Sequence, residues 1–136
     1  MTWPAVSYIM PVLNEAPYLV ESVEAILKQD YPGDSEVILA VAPSTDDTET
    51  IAAELAEDHP RVRVVANPGR DIPKGLNLAI HASRYPIIVR VDAHSELPDE
   101  YTRIGVETLL RTGAANVGGL MRAHGKTPFQ YAAAQA

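Results

Sequence analysis

The sequence predicts an α/β protein: a mostly parallel sheet with helices on both faces. Three observations predict it. Short β-rich runs alternate with segments of helical periodicity from the N-terminus onward. The helical segments are about 10 to 15 residues long, the length that carries a chain across a sheet between parallel strands. The second strand, Glu36–Val41, is nearly all apolar, as a strand covered on both faces should be.

Taken in order, residues Ala5–Met10 read as the first strand, closed by Pro11. A helix can start at Pro17, with Leu19, Val20, Val23, Ile26 and Leu27 at helical spacing, and Tyr31-Pro32-Gly33 stops it. After the second strand, Asp46 and Glu49 resemble a capping box, and Ile51 and Leu55 supply a helix face. Arg61–Ala66 is a third strand. Pro73 opens a third helix carrying Leu76, Ile80 and Ser83. Pro86–Val91 is a fourth strand, with proline at its tolerated first position. A helix over Pro98–Arg111, a strand over Asn116–Met121 and a helical stretch from Thr127 complete the pattern. With no repeat, linker or low-complexity tract, residues 1–136 are expected to form a single domain.

Composition bounds the function. The 136 residues contain no cysteine, which removes disulfide frameworks, thiolate metal sites and cysteine nucleophiles together. Eighteen acidic against 11 basic side chains give a formal charge of −7. Duplex binding needs clustered Lys and Arg, so no nucleic-acid partner is expected. A protein this acidic that binds an anion must do so locally, through a metal, backbone amides or a few placed cations. The start lacks a basic n-region and an apolar h-region, and no apolar run approaches the roughly 20 residues of a membrane span. A cytoplasmic protein is the expectation.

In a parallel sheet the loops leaving the strands open on one edge, and ligands bind there where strand order reverses. These loops are Pro11-Val12-Leu13-Asn14-Glu15, Ala42–Thr48, Asn67–Lys74 and Asp92–Glu96, each rich in carboxylates, amides or hydroxyls. Asp92-Ala93-His94 is the sharpest of them. Residues i and i+2 of an extended chain point the same way, so one carboxylate and one imidazole can share a cation. That donor pair suits Mn²⁺ better than Mg²⁺. The alternative is that Asp92 caps the next turn and His94 is a solvated loop residue. Asn14 can equally be the N-cap of the first helix, with Glu15 favourable near its dipole. Ser44, Thr45 and Asp46 can be capping residues, and Arg70 and Lys74 either offset diphosphate charge or are solvated. His59 and His81 read as surface residues, and His124 follows a strand and could reach the rim. Trp3, Tyr8 and Tyr18 read as packing. Nothing matches G-x-G-x-x-G or a P-loop, which argues against dinucleotide and ATPase chemistry.

Taken together, the motifs resemble the family 2 glycosyltransferases of the GT-A fold, and within them the exopolysaccharide (succinoglycan-type) branch. Ile9-Met10-Pro11-Val12-Leu13-Asn14-Glu15 is similar to the family's first strand and P-x-x-N-E signature. Gln29-Asp30-Tyr31-Pro32 resembles the end of its first helix, and Ser44-Thr45-Asp46-Asp47-Thr48 its S-T-D-x-T loop. Asn77 and Ile80 fit its N-x-x-I helix, Val91-Asp92-Ala93-His94 takes the place of the D-x-D metal motif, and Gly118-Gly119 resembles a glycine pair in the next strand.

The resemblance implies a nucleotide-diphospho-sugar donor, often a UDP-sugar, and a divalent metal, Mn²⁺ or Mg²⁺. Pro11, Asn14, Glu15, Ser44, Asp46, Arg70, Lys74 and Asp92 would bind the donor, and Asp92 with His94 the metal. The acceptor would be a saccharide or lipid-linked. Val41-Ala42 stand where the family often carries paired aspartates, and His94 where it often carries a third. The chain stops where the family's acceptor-binding half begins, so the general base is expected outside it. A homodimer, or a partner carrying that half, is expected, with association at the inner face of the membrane through such segments. The competing readings are a non-catalytic nucleotide-sugar-binding module and a sugar-phosphate nucleotidyltransferase. The latter shares the sheet but needs a glycine-rich phosphate loop that this chain lacks.

Overall fold

A computed structural model describes residues 2–118 and 120–122. The elements are β1 (Val6–Val12), α1 (Leu19–Leu27), β2 (Ser35–Val41), α2 (Thr48–Asp58), β3 (Val62–Ala66), α3 (Ile72–Ala82), β4 (Ile87–Arg90), α4 (Tyr101–Thr112), β5 (Asn116–Val117) and β6 (Leu120–Arg122). They form one six-stranded sheet in the order β3-β2-β1-β4-β6-β5. β1 pairs in parallel with β2 and β4, and β2 in parallel with β3. β6 runs antiparallel to both β4 and β5.

Strand alternation sorts the core into two layers. Tyr8, Met10 and Val12 of β1, with Val37, Leu39 and Val41 of β2, face α1, α2 and α4 through Val23, Leu55 and Leu109. Ile9, Ile38, Ala40 and Ile88 face the opposite way, onto Leu76, Ala79 and Ile80 of α3. The central strands are therefore apolar on both sides, which is why β2 reads as a continuous run.

Three expectations need correction. The first strand does not close at Pro11 but runs through it to Val12. Val91 N–H donates to Ile9 O at 3.0 Å and Ala42 N–H to Val12 O at 2.9 Å, so alternate residues of β1 bond to opposite neighbours. Pro11 falls on the β4 side, beyond the Val6–Ile9 stretch that pairs with β4, so its missing N–H breaks no ladder. The strand expected over Asn116–Met121 is a reversal, β5 and β6 joined through Gly118. Gly118 sits at φ +51°, a conformation that costs glycine little, and the chain turns where continuous extension was expected. The capping box opening α2 is also displaced. Asp46 Oδ1 accepts from Thr48 N–H at 3.0 Å, two residues on, while Glu49 reaches back to Ser44 N–H at 3.0 Å. The helical stretch from Thr127 and His124 lie outside the described residues.

The motif at the end of α1 has a structural task. Gln29 Oε1 accepts from both Thr102 N–H at 3.0 Å and Thr102 Oγ1 at 2.8 Å, and Gln29 Nε2 donates to Pro98 O at 2.7 Å. Tyr8 Oη donates in turn to Thr102 Oγ1 at 2.6 Å. Burial pushes the Tyr8 phenol up to about 12, so it remains a donor. This relay fixes the first turn of α4 against α1 and β1. Tyr31 closes the same end of the molecule, donating its hydroxyl to Pro4 O and packing edge-on against Trp3.

Candidate functional site

The chain passes from β1 to β2 and β3 on one side, then returns to place β4 on the other side of β1. β1 and β4 thus flank the point where strand order reverses, and a crevice opens beyond their carboxyl ends. A cleft of about 340 Å³ occupies it, lined by Pro11, Leu13, Glu15, Ala42, Asn67, Arg70, Ile72, Arg90, Asp92 and His94 among others. All four loops leaving β1 to β4 contribute. Pro11, Glu15, Arg70, Asp92 and His94 of the expected site residues meet there.

β4 sets the spacing of the strongest group. Its extended chain puts Arg90 and Asp92 on the side opposite buried Val91, which packs into the core with Ala93. The Arg90 guanidinium lies 3.5 Å from Asp92 Oδ1, and Ser95 N–H caps the Asp92 carbonyl at 3.1 Å. His94 Nδ1 lies 3.4 Å from Glu15 Oε1 and the Tyr18 ring meets the His94 ring edge-on. Tyr18 is 51% exposed, so it is not the packing residue the sequence suggests.

Arg70 takes φ +58°, a backbone state with a real cost for a non-glycine residue. Its N–H bonds to Asn67 O at 3.2 Å, closing the tight turn that brings it to the cleft wall. Asn67 is buried and its amide donates to Asp71 O at 3.0 Å, tying the end of β3 to the start of α3. Gly75 lets this happen: a Cβ there would meet Asn67 Nδ2 at 2.7 Å.

Asn14, Ser44 and Asp46 do not line this cleft; Asn14 and Ser44 bond to each other, and Asp46 accepts from Thr48 and from the Ala16 N–H. Asn14 is not the N-cap of α1, a position held by Tyr18. It takes φ +52°, which asparagine tolerates, donates N–H to Ser44 Oγ at 3.1 Å and accepts from Thr45 N–H at 2.8 Å. Glu15 N–H bonds to Thr48 Oγ1 at 2.9 Å and Ala16 N–H to Asp46 Oδ2 at 3.3 Å. The Thr48 hydroxyl, with backbone N–H groups, holds the Asp46 carboxyl below its ordinary range. The result is a polar clasp between the loops after β1 and β2, which fixes the backbone carrying Glu15. Lys74 is exposed and is not among the lining residues.

Arg90 is not singled out by the sequence, and Asn67 enters only as the first residue of its rim loop. Arg90 stands two residues before Asp92 in a strand, and that period-2 spacing was the available signal. Asn67 reads as an ordinary turn residue, and nothing local marks it.

The sheet order defines an α/β protein of GT-A architecture with a cleft at its switch point. The chain belongs to glycosyl transferase family 2, whose model matches residues 7–136. It is 35% identical over 128 residues to the succinoglycan biosynthesis protein ExoA of Rhizobium meliloti, covering 93% of this chain and 39% of that protein. It is 36% identical over 97 residues to chondroitin synthase of Escherichia coli, covering 71% of this chain and 14% of that one. Among solved structures it resembles the mannosyltransferase PcManGT of Pyrobaculum calidifontis, in complex with GDP-Man and Mn²⁺. That match has a TM-score of 0.65 and 34% identity, over 72% of this chain and 30% of the other. S. aureus TarS shares the fold, with a TM-score of 0.70 at 21% identity over 85% of this chain and 34% of that one. The chain thus spans well under half the length of these relatives.

Proposed function

We propose that this chain binds the nucleoside-diphosphate sugar of a glycosyl transfer, with a divalent cation, in the cleft between β1 and β4. One observation carries the proposal: Asp92 and His94 meet Glu15, Arg70 and Arg90 at the strand-order reversal. The mannosyltransferase relative holding GDP-Man and Mn²⁺ supports the same reading.

The donor set suits a cation that keeps open positions. Asp92 offers a carboxylate oxygen and His94 an imidazole nitrogen, a mixture that favours Mn²⁺. Among the described residues no group of three or more His, Asp or Glu is placed to hold a metal. Oxygens of the diphosphate and water would complete the shell. With Nδ1 3.4 Å from Glu15 Oε1, His94 would have Nε2 to offer a cation. A bound divalent ion would neutralise the charge that builds on the departing diphosphate as an acceptor hydroxyl attacks the sugar carbon. Arg70 and Arg90 add positive charge at the same place. Ile72 and Leu13 supply apolar wall, which suits a base or ribose face. The acceptor would be a saccharide or lipid-linked saccharide, and the setting cytoplasmic; no described helix is long and apolar enough to cross a membrane.

Calorimetric titration with UDP and with GDP, each with and without Mn²⁺, tests this. Metal-dependent binding of one nucleotide is expected, weakened at least about tenfold in Asp92→Ala. Failure of both nucleotides to bind the wild-type chain in the presence of Mn²⁺ overturns the proposal.

A further inference from the structure

Arg90 is not part of the metal or nucleotide set read from the sequence, yet its guanidinium pairs with Asp92. We propose that Arg90 is a positioning residue that occupies Asp92 in the ligand-free cleft, opposing a lone metal ion and favouring the diphosphate. The inference rests on the proposed donor site and concerns how its two components enter.

The observations are geometric. The Arg90 side chain is only 20% exposed, whereas that of Asp92 is 46% exposed, so the carboxylate is the more open partner. The guanidinium is held in the cleft because β4 ends at Arg90, with Ile9 of β1 as its paired residue. Its contact with Asp92 is 3.5 Å, a single loose ion pair and not a bidentate fork. Such a pair is weak enough to be exchanged by an incoming ligand.

Charge then decides the order. A divalent ion approaching Asp92 alone must share its carboxylate with a guanidinium and is repelled by that fixed positive charge. A nucleoside diphosphate meets the opposite situation, because Arg90 and Arg70 on the cleft walls both attract it. Once the diphosphate is present it can take Arg90, leaving Asp92 to the metal. The cleft therefore favours metal and nucleotide together over metal alone.

The distinguishing experiment removes the charge and follows each component separately. Mn²⁺ binding to the full chain is read by electron paramagnetic resonance of the free ion, and UDP or GDP binding without metal by calorimetry. In Arg90→Met, Mn²⁺ alone should bind roughly three- to tenfold more tightly and the nucleotide alone roughly three- to tenfold more weakly. Arg90→Lys keeps the positive charge and should restore both toward wild type. Arg90→Gln serves as a second neutral variant should Arg90→Met unfold, with thermal melts establishing the folded state of each. Shifts of both affinities in the same direction, or no change in either, refute the role of Arg90 while leaving the donor site standing. If wild type binds neither nucleotide even with Mn²⁺, the donor-site reading itself fails.

Discussion

Glu36 shows how one residue can decide the stability of a strand. It is 1% exposed at the start of β2, within a run that reads as apolar. Ser7 Oγ donates to Oε2 at 2.6 Å and Arg84 N–H to the same oxygen at 2.6 Å. Arg63 and Arg84 guanidinium groups bond to Oε1 at 2.8 and 3.1 Å. Burial alone would raise this carboxyl, but the four donors outweigh it and the net direction is down. Removing the carboxylate leaves Ser7 and the Arg84 amide without their acceptor. Glu36→Ala should therefore cost about 3 kcal/mol, measured as the loss of unfolding free energy in urea.

The same residue sets a pH dependence. Its folded-state carboxyl is depressed, so in the acid range the unfolded chain binds more protons and stability rises with pH. The contribution is complete above the unfolded carboxylate range, near about pH 4.3, and is lost as pH falls through the folded value. Urea midpoints should drop on acidification below about pH 4.5, and less steeply in Glu36→Gln. An equal slope in the variant would show that other carboxylates carry the effect.

At the scale of elements, the helix junctions carry the next predictions. Gln29→Ala strips an acceptor from the Thr102 N–H and hydroxyl, both inside the α1–α4 contact. A loss of about 2 kcal/mol is expected in chemical unfolding. Gly75→Ala tests the packing beneath the cleft. The helix would gain up to about 1 kcal/mol in propensity, against roughly 1–3 kcal/mol for overpacking Asn67. Because Asn67 is held by Asp71, it cannot swing away freely, and the net expectation is destabilisation with weaker nucleotide binding by calorimetry. Unchanged binding would mean that the wall of the cleft yields.

What was legible in the sequence follows from the range of the interaction involved. Asp92 and His94 both line the cleft, but the turn that Ser95 N–H closes on Asp92 O takes His94 out of the extended register that strand geometry suggests. The order of strands and helices was readable from periodicity. The clasp of Asn14 with Ser44 and Thr45 joins residues about thirty positions apart, and such a bond leaves no local signature. The same three polar side chains could as well have faced a ligand, so only coordinates distinguish the cases. Glu36 was absorbed into an apolar run, although a lone carboxylate there was itself a hint of buried cations. The reversal at Gly118 was missed because a glycine in a short β-prone run is equally consistent with a bulge or a turn.

Across the whole molecule, two polar centres stand at opposite ends of the same parallel strands. Glu36 and its arginines grip the amino-terminal edge, whereas Asp92, His94 and Arg90 gather beyond the carboxyl-terminal edge. A redesign that changed only the exposed positions of the loops after β1, β3 and β4, keeping buried Val91, Ala93 and Asn67, would leave the carboxylate anchor and both apolar layers in place. The exposed rim of the cleft and the Glu36 anchor thus lie far enough apart to be varied one at a time, whereas Asn67 and Gly75 belong to the cleft and the packing together.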